Sequence, residues 1–103
     1  MTTYILTAEA ESDLRSVIRY TRAQWGTPQV RRYVSDLERG IALLAEGKGS
    51  FKDMSGLYPA LRMARCQHHY VFCLPREATP ALIVAILHER MDIMNRLVDR
   101  LNE

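Results

Sequence analysis

The sequence is poor in cysteine and has no long apolar run. Two cysteines, Cys66 and Cys73, occur in its 103 residues, and both lie in strand-like segments rather than in a CxxC pair. They are too few for a zinc site and too weak a pattern for a disulfide framework, so we expect two reduced thiols in a sheet. No segment approaches the roughly 18 consecutive apolar residues that indicate a membrane span.

The amino-terminal stretch, MTTYILTAEAE, also lacks the basic region and apolar core of a secretory signal. We therefore expect a cytoplasmic protein with no membrane partner. Its hydrophobic content of 48% and charged content of 25% are ordinary for a globular domain. A chain of this length can bury roughly two thirds of its unfolded surface without a stabilising disulfide or metal ion. Residues 1–103 are thus predicted to form one domain without a metal or cofactor.

Lysine is scarce as well, because twelve of the fourteen basic residues are arginine and the other two are Lys48 and Lys52. The net charge of +2 is too small to indicate a nucleic-acid partner by itself. A guanidinium group, however, pairs with a carboxylate or phosphate through two hydrogen bonds. An acidic protein partner, a nucleic-acid backbone and a bias of genomic composition all fit this preference.

The first half of the chain predicts a short strand and two helices. Residues 3–6 are β-branched and aromatic, and Thr7 can cap a helix that ends at Gly26. Thr27 as N-cap and Pro28 at the first helical position then begin a second helix, which ends at Gly47. Each helix has an apolar stripe at helical spacing, formed by Leu14, Val17, Ile18, Thr21 and Trp25 in the first and by Val30, Val34, Leu37, Ile41 and Leu44 in the second. We expect an antiparallel helical hairpin that covers one face of a sheet.

The second half predicts a loop over residues 47–60, three strands and a final helix. The strands are predicted over residues 61–66, 70–74 and 81–87, and the helix over residues 89–101. The fold class is therefore α+β, a two-layer sandwich of order β-α-α-β-β-β with a C-terminal helix. The strand at 81–87 is apolar on both faces, so we place it centrally. Either the C-terminal helix or another protein can cover its second face.

Several segments resemble one known family. They are LTAEAESDLRSVIRYTRAQWG, YVSDLERGIALLAEG, ALRMARCQHHYVFCL and IVAILHERMD, of which the last is the most specific. Together they cover nearly the whole chain and resemble the RelE/ParE superfamily of bacterial toxins, in particular its ParE branch. The resemblance implies a stable toxin held inactive by a labile, partly disordered, ParD-like antitoxin in a hetero-oligomer. For the ParE branch it implies binding and poisoning of DNA gyrase, whereas the RelE branch cleaves messenger RNA on the ribosome.

The candidate nuclease residues form an incomplete set. A metal-free ribonuclease needs a base, an acid and cations for the phosphorane, and Arg62, Arg65 and His88 are the best candidates for these roles. Arg62 and Arg65 point to opposite faces of a regular strand. His68 and His69 are expected at a hairpin tip far from His88. In RelE-like ribonucleases the reactive basic and aromatic groups sit at the end of the last strand and in the C-terminal tail, and the segment from Ala81 onward has no Tyr or Lys. The resemblance therefore favours a protein-binding toxin over an enzyme.

The predicted partner surface comprises two arginines of the strand at 61–66, the polar end of the last strand and the helix after it. Its residues are Arg62, Arg65, His88, Arg90, Met91, Asp92, Met94, Leu97, Val98 and Leu101.

Structural roles compete with binding at several of these positions. His88 can cap backbone groups where the sheet stops, and Asp92 can pair with Arg62 or Arg90. Met91 and Met94 suit either the protein's own sheet or a partner, and Trp25 is expected in the core. A non-toxic binding module that keeps the antitoxin surface is a third alternative to the gyrase poison and the ribonuclease.

Overall fold

The chain folds as an α+β sandwich, as the sequence predicts. A computed structural model describes residues 4–102. The elements are β1 (Tyr4–Leu6), α1 (Ala8–Trp25), α2 (Thr27–Ala45), β2 (Lys52–Asp53), β3 (Arg62–Cys66), β4 (His69–Leu74), β5 (Ala81–His88) and α3 (Ile93–Leu101). Thr3, which the sequence places in the first strand, lies outside the described residues.

The two long helices form the predicted hairpin. The Thr7 hydroxyl accepts a hydrogen bond from the Ala10 amide, so it caps α1 as expected. Gly26 joins the helices at φ 85°, a conformation that favours glycine. Gly26, rather than Thr27, is the N-cap of α2. The prediction for Thr27 is wrong by one residue because Gly26 ends one helix and begins the next.

The sheet has five strands in the order β1-β5-β4-β3-β2. β1 runs parallel to β5, and the other neighbours are antiparallel. The strand β2 lies in the segment predicted as a loop. It is two residues long, exposed, and pairs with Met63 and Arg62 at the sheet edge, so its sequence shows no alternation of apolar and polar residues.

The helical hairpin buries one face of the sheet. Its core comprises Ala10, Val17, Leu37, Ile41, Leu44, Ala64, Cys66, Val71, Cys73, Ala81, Ile83 and Ile86. Gly40 lets α2 approach β3 closely, because a Cβ atom at this position would lie 2.6 Å from Cys66 Sγ. Both cysteines are free and buried, and burial raises the pKa of Cys66 and raises that of Cys73 to about 11. The prediction that both cysteines lie in the sheet is confirmed.

The protein covers the second face of the sheet itself. Leu97 of α3 and Leu61, which precedes β3, are completely buried with Phe72 and Leu87. Of the two covers that the sequence allows, the C-terminal helix is therefore the one present. This helix begins at Ile93 rather than Glu89, because residues 89–92 form a turn in which the Met91 amide donates to the His88 carbonyl.

Trp25 does not lie in the core. It shares the helical spacing of the apolar stripe, but its side chain is 67% exposed. Tyr20 of α1 contacts His88 at the end of β5, so the residues that follow Tyr20 extend past the end of the sheet. The last turn of α1 has no strand beneath it, and the prediction that Trp25 is buried is wrong.

No helix among residues 4–102 is long and apolar enough to cross a membrane. The same residues contain no group of three or more histidine, cysteine or acidic side chains suited to a metal ion.

Candidate functional site

Three histidines meet at one end of the sheet. β4 runs antiparallel to β5, so its first residue, His69, pairs with the last residue of β5, His88. Their rings are 5.0 Å apart between centroids, in an edge-to-face arrangement. The expectation that His68 and His69 lie far from His88 is therefore wrong. It overlooked that the tip of the β3–β4 hairpin lies beside the end of β5.

His69 is a buried, hydrogen-bonded histidine. The Tyr33 hydroxyl accepts a hydrogen bond from the His68 amide at 3.2 Å and is hydrogen-bonded to His69 Nδ1 at 2.6 Å. Burial, followed by the nearby charges of His88 and His68, lowers the pKa of His69 to about 4. Burial also raises the pKa of Tyr33. His69 is thus a neutral imidazole at physiological pH and has no proton to give as a general acid.

His88 closes the end of β5. Its Nδ1 atom accepts a hydrogen bond from the Arg90 amide at 3.1 Å, which is the backbone-capping role that the sequence allowed. Its ring lies 6.3 Å from the Tyr20 ring on α1, measured between centroids. Because Nδ1 is engaged, Nε2 is the nitrogen left to meet a substrate or partner.

Glu89 joins the hairpin tip to the end of β5. Its carboxylate binds His68 Nδ1 at 2.8 Å and the guanidinium group of Arg65. The hydrogen bond from His68 is the main cause of the lowered pKa of Glu89, and the charge of Arg65 adds to it. The side chain of Arg65 is therefore held at the exterior by Glu89 and by the Gln67 carbonyl.

Asp13 and Arg100 bind the open side of β5. β1 pairs with residues 81–83 only, so β5 is an interior strand over just its first part. Beyond that point Asp13 accepts the Ile86 amide at 3.0 Å, and Arg100 donates to the Val84 carbonyl at 2.9 Å. The two side chains also form an ion pair at 3.0 Å. They satisfy backbone groups that lack a strand partner.

A groove of about 540 Å³ lies between α1, the end of β5 and the turn before α3. Its lining residues are Asp13, Ser16, Val17, Tyr20, His69, Ile86, His88, Arg90, Met91 and Arg96. Apolar and aromatic side chains thus lie beside cationic ones and beside an unpaired strand edge. Such a surface suits an extended polypeptide or an anionic ligand.

The three candidate nuclease residues do not converge. Arg62 pairs with Cys73, four residues along β4 from the partner of His88, and lies two strands away from β5. This separation is roughly 15 Å at ordinary strand spacings. Arg62 donates to the Leu44 carbonyl and stacks on Phe51, at the opposite end of the strand from the histidines. Neither Arg62 nor Arg65 lines the groove.

The predicted partner residues divide into an accessible and a structural group. Arg90 is exposed, as are Met91, Met94 and Val98, which are 41%, 48% and 39% exposed. His88 is half-buried in the groove wall, whereas Leu97 is buried and Leu101 packs against the same core.

Asp92 pairs with neither Arg62 nor Arg90 among the described residues. Its carboxylate instead accepts a hydrogen bond from the Asn95 side chain at 2.6 Å. The predicted ion pair with an arginine is thus wrong.

Sequence reasoning missed Asp13, Tyr20 and Tyr33. Asp13 lies about one helical turn before Val17, and Tyr20 lies five residues before the end of α1, on the flank of the buried stripe. Tyr33 lies between Val30 and Leu37 of the α2 stripe. A polar or aromatic residue at the edge of an apolar helical stripe is a recognisable signal of a site residue, because the end of its side chain can reach the end of the sheet.

Known proteins show the same sequence pattern. A family model described as "ParE toxin of type II toxin-antitoxin system, parDE" matches residues 4–93. Toxin ParE of Escherichia coli is 74% identical over 101 residues, which cover 98% of each chain. Toxin ParE1 of Mycobacterium tuberculosis, in strains CDC 1551 / Oshkosh and ATCC 25618 / H37Rv, is 24% identical over 94 residues, or 91% of this chain and 96% of the relative.

The fold and its groove thus occur in a chain whose relatives are toxins of the ParE type. The chain belongs to the ParE toxin family of type II toxin–antitoxin systems. Membership of this family implies an antitoxin partner.

Proposed function

We propose that this toxin inhibits growth in the cytoplasm by binding and poisoning DNA gyrase, and that its cognate antitoxin neutralises it by direct binding. The main support for this proposal is that the nuclease candidates Arg62, Arg65 and His88 do not converge. Of these three residues, His88 alone lines the groove. The family relationship supports the same conclusion, because the relatives are named ParE toxins.

The gyrase proposal is tested with purified gyrase and relaxed plasmid DNA. We expect the full chain to block supercoiling and to increase the amount of cleaved plasmid after protein denaturation. His88→Ala combined with Arg90→Ala is expected to weaken this inhibition at least tenfold. Arg76→Ala, in the distant β4–β5 loop, serves as the control. Unchanged supercoiling at high molar excess of the wild-type toxin would refute the proposal.

The antitoxin is proposed to add an extended segment to the open edge of β5. The Ile86 amide points away from β4, and groups on a strand alternate in direction, so the Ile86 carbonyl and the His88 amide point to the same open side. Val17, Tyr20 and Met91 supply apolar surface next to this edge. Backbone pairing with pockets for alternate side chains is a recurring mode of peptide recognition.

Coexpression with the cognate antitoxin tests this docking site. We expect the isolated toxin to dissolve poorly and the coexpressed complex to remain soluble. Met91→Glu, in the groove, should lower antitoxin affinity at least tenfold. The matched control is Leu43→Glu on α2, a similarly exposed apolar residue that is absent from the groove lining. Equal affinities of the two variants would exclude the groove as the docking site.

A ribosome-dependent ribonuclease is the second candidate, favoured by the placement of His69, His88, Arg90 and Arg96 around one groove. In that case His88→Ala would abolish cleavage of messenger RNA on purified ribosomes, which primer extension detects. Intact messenger RNA with wild-type toxin would exclude this activity. Normal growth during toxin expression without antitoxin would instead favour a non-toxic binding module.

A further inference from the structure

The tip of the helical hairpin carries a concentrated positive charge. Residues 14–35 contain five arginines and no acidic residue. They therefore carry +5, and because the whole chain carries +2, the remaining residues carry a net −3. The modest overall charge conceals a strong separation of charge. We name the arginines of this segment, together with Tyr20 and Trp25, the arginine tip; they are Arg15, Arg19, Arg22, Arg31 and Arg32.

The charges of the arginine tip are exposed and have no acidic partner within residues 4–102. All five arginines are exposed, and none forms an ion pair with another residue in the range 4–102. On α1, Arg15, Arg19 and Arg22 follow at intervals of four and three residues, so they lie on one helical face. Their guanidinium groups are thus available to an external anion.

The aromatic residues of the tip are also exposed. Trp25 is 67% and Tyr20 56% exposed. Trp25 lies between small and polar residues in the sequence and belongs to neither described core cluster, whereas Tyr20 shares the groove lining with Val17 and Met91. Exposed aromatic rings among arginines are instead the combination that binds unpaired bases by stacking and phosphates by charge.

The outer part of the arginine tip, with Arg22, Trp25, Arg31 and Arg32, lies beyond the end of the sheet, whereas Arg15 and Arg19 precede Tyr20 on α1. Tyr20 contacts His88 and Tyr33 contacts His69, so the residues of the hairpin between these two tyrosines project past β4 and β5. At 1.5 Å per residue the projection is on the order of 8 Å. A long polymer can pass across this projection without entering the groove beside β5.

We propose that the arginine tip is a binding surface for nucleic acid, which contacts the phosphate backbone without sequence selection and stacks unpaired bases on Trp25. This surface adjoins the groove proposed for the antitoxin at Tyr20, whereas its five arginines and Trp25 are not part of the groove lining. It is also independent of gyrase, because binding to free DNA requires no other protein.

Fluorescence anisotropy with labelled oligonucleotides of mixed sequence tests this proposal. With four or five phosphate contacts on single-stranded DNA, affinity should fall roughly 50- to 130-fold between 50 and 200 mM salt. Arg22→Gln combined with Arg31→Gln should weaken binding at least tenfold and reduce the log–log salt slope by about 1.4. Arg39→Gln combined with Arg76→Gln removes the same charge outside the tip and should change affinity less than twofold. Equal effects of the two double variants would overturn the proposal.

Trp25 supplies a second readout, since it is the only tryptophan of the chain. Single-stranded DNA should quench its fluorescence, and Trp25→Ala should weaken single-strand binding roughly 5- to 160-fold, which corresponds to one stacked base. Duplex binding should change much less. An acidic protein is the other possible occupant, so a polyglutamate peptide of matched charge is the competitor. Displacement of DNA at equal or lower peptide concentration would overturn the proposal in favour of an acidic protein partner.

Discussion

His69 links the stability of the protein to pH. Its folded-state pKa of about 4 lies below the ordinary value of 6.5, so the unfolded chain binds a proton that the folded chain does not. The free energy of unfolding should therefore be fully retained above pH 6.5 and should decrease as the pH falls toward 4. The loss at pH 4.5 is about 2–3 kcal/mol, given 1.36 kcal/mol per pKa unit. Urea unfolding at pH 7.0 and 4.5 measures it.

The same measurement on His69→Gln isolates this histidine from the carboxyl groups, which also titrate in acid. The variant should be less stable at pH 7.0, because Tyr33 loses its hydrogen-bond partner, and its disadvantage should shrink at pH 4.5. His68→Gln, at an exposed position, is the control. If wild type and His69→Gln lost equal stability between the two pH values, His69 would not be the titrating group.

Asp13 is a second residue with a large expected effect. Asp13→Ala removes the acceptor of the Ile86 amide and the carboxylate next to the partly buried Arg100. Removing one member of such a pair leaves desolvated groups without compensation, and we expect a loss of about 2–4 kcal/mol in the free energy of unfolding. Asp36→Ala disrupts the exposed pair with Arg39, and its effect should stay below about 0.5 kcal/mol. Similar losses would contradict a structural role for Asp13.

Single residues were predictable where a local rule decides their environment. Thr7 caps α1 and His88 caps the end of β5, because short-range hydrogen-bond geometry settles both cases. The helical spacing of Trp25 predicts burial, but its side chain is exposed. The spacing of apolar residues does not indicate how far the sheet extends beneath the helix. The proximity of His69 to His88 depends on strand pairing between distant segments, which spacing within one strand does not reveal.

At the scale of elements, α3 is expected to act as the cover of the second sheet face. Leu97→Ala opens a cavity among Phe72 and Leu87, and such a truncation costs about 2–5 kcal/mol. Met94→Ala on the same helix should cost less than about 1 kcal/mol, because Met94 is 48% exposed. Chemical denaturation of both variants measures the difference. Equally small losses would show that α3 does not pack on the sheet in solution.

Elements with strong periodicity were predicted within a few residues. The three long strands and the two helices of the hairpin each bury several apolar side chains, so their sequences alternate at the spacing of the structure. The strand β2 is exposed at both of its residues and exists through pairing with β3. Apolar spacing predicts a helix over the turn at residues 89–92, because spacing carries no information on the hydrogen bonds to His88 that form this turn.

At the scale of the whole molecule, the charge is unevenly distributed. The arginine tip carries +5 while the rest of the chain carries −3. Like charges three and four residues apart destabilise a helix by about 0.2–0.5 kcal/mol per pair. Arg19 takes part in two such pairs, with Arg15 and Arg22. A binding surface for a polyanion thus lowers the stability of the free toxin, as is common for functional sites.

Arg19→Gln should therefore stabilise the free toxin by about 0.5–1 kcal/mol at low salt, since it relieves two repulsive pairs. This gain corresponds to a rise of roughly 2–8 °C in the melting temperature for a domain of this size. In 1 M salt the Debye length falls to about 3 Å and the gain should disappear. Arg39→Gln is the control: it loses an attractive contact with Asp36, so it should be neutral or slightly less stable at low salt. A gain that persists in 1 M salt would mean that helix propensity or packing, rather than charge repulsion, limits the stability of the hairpin.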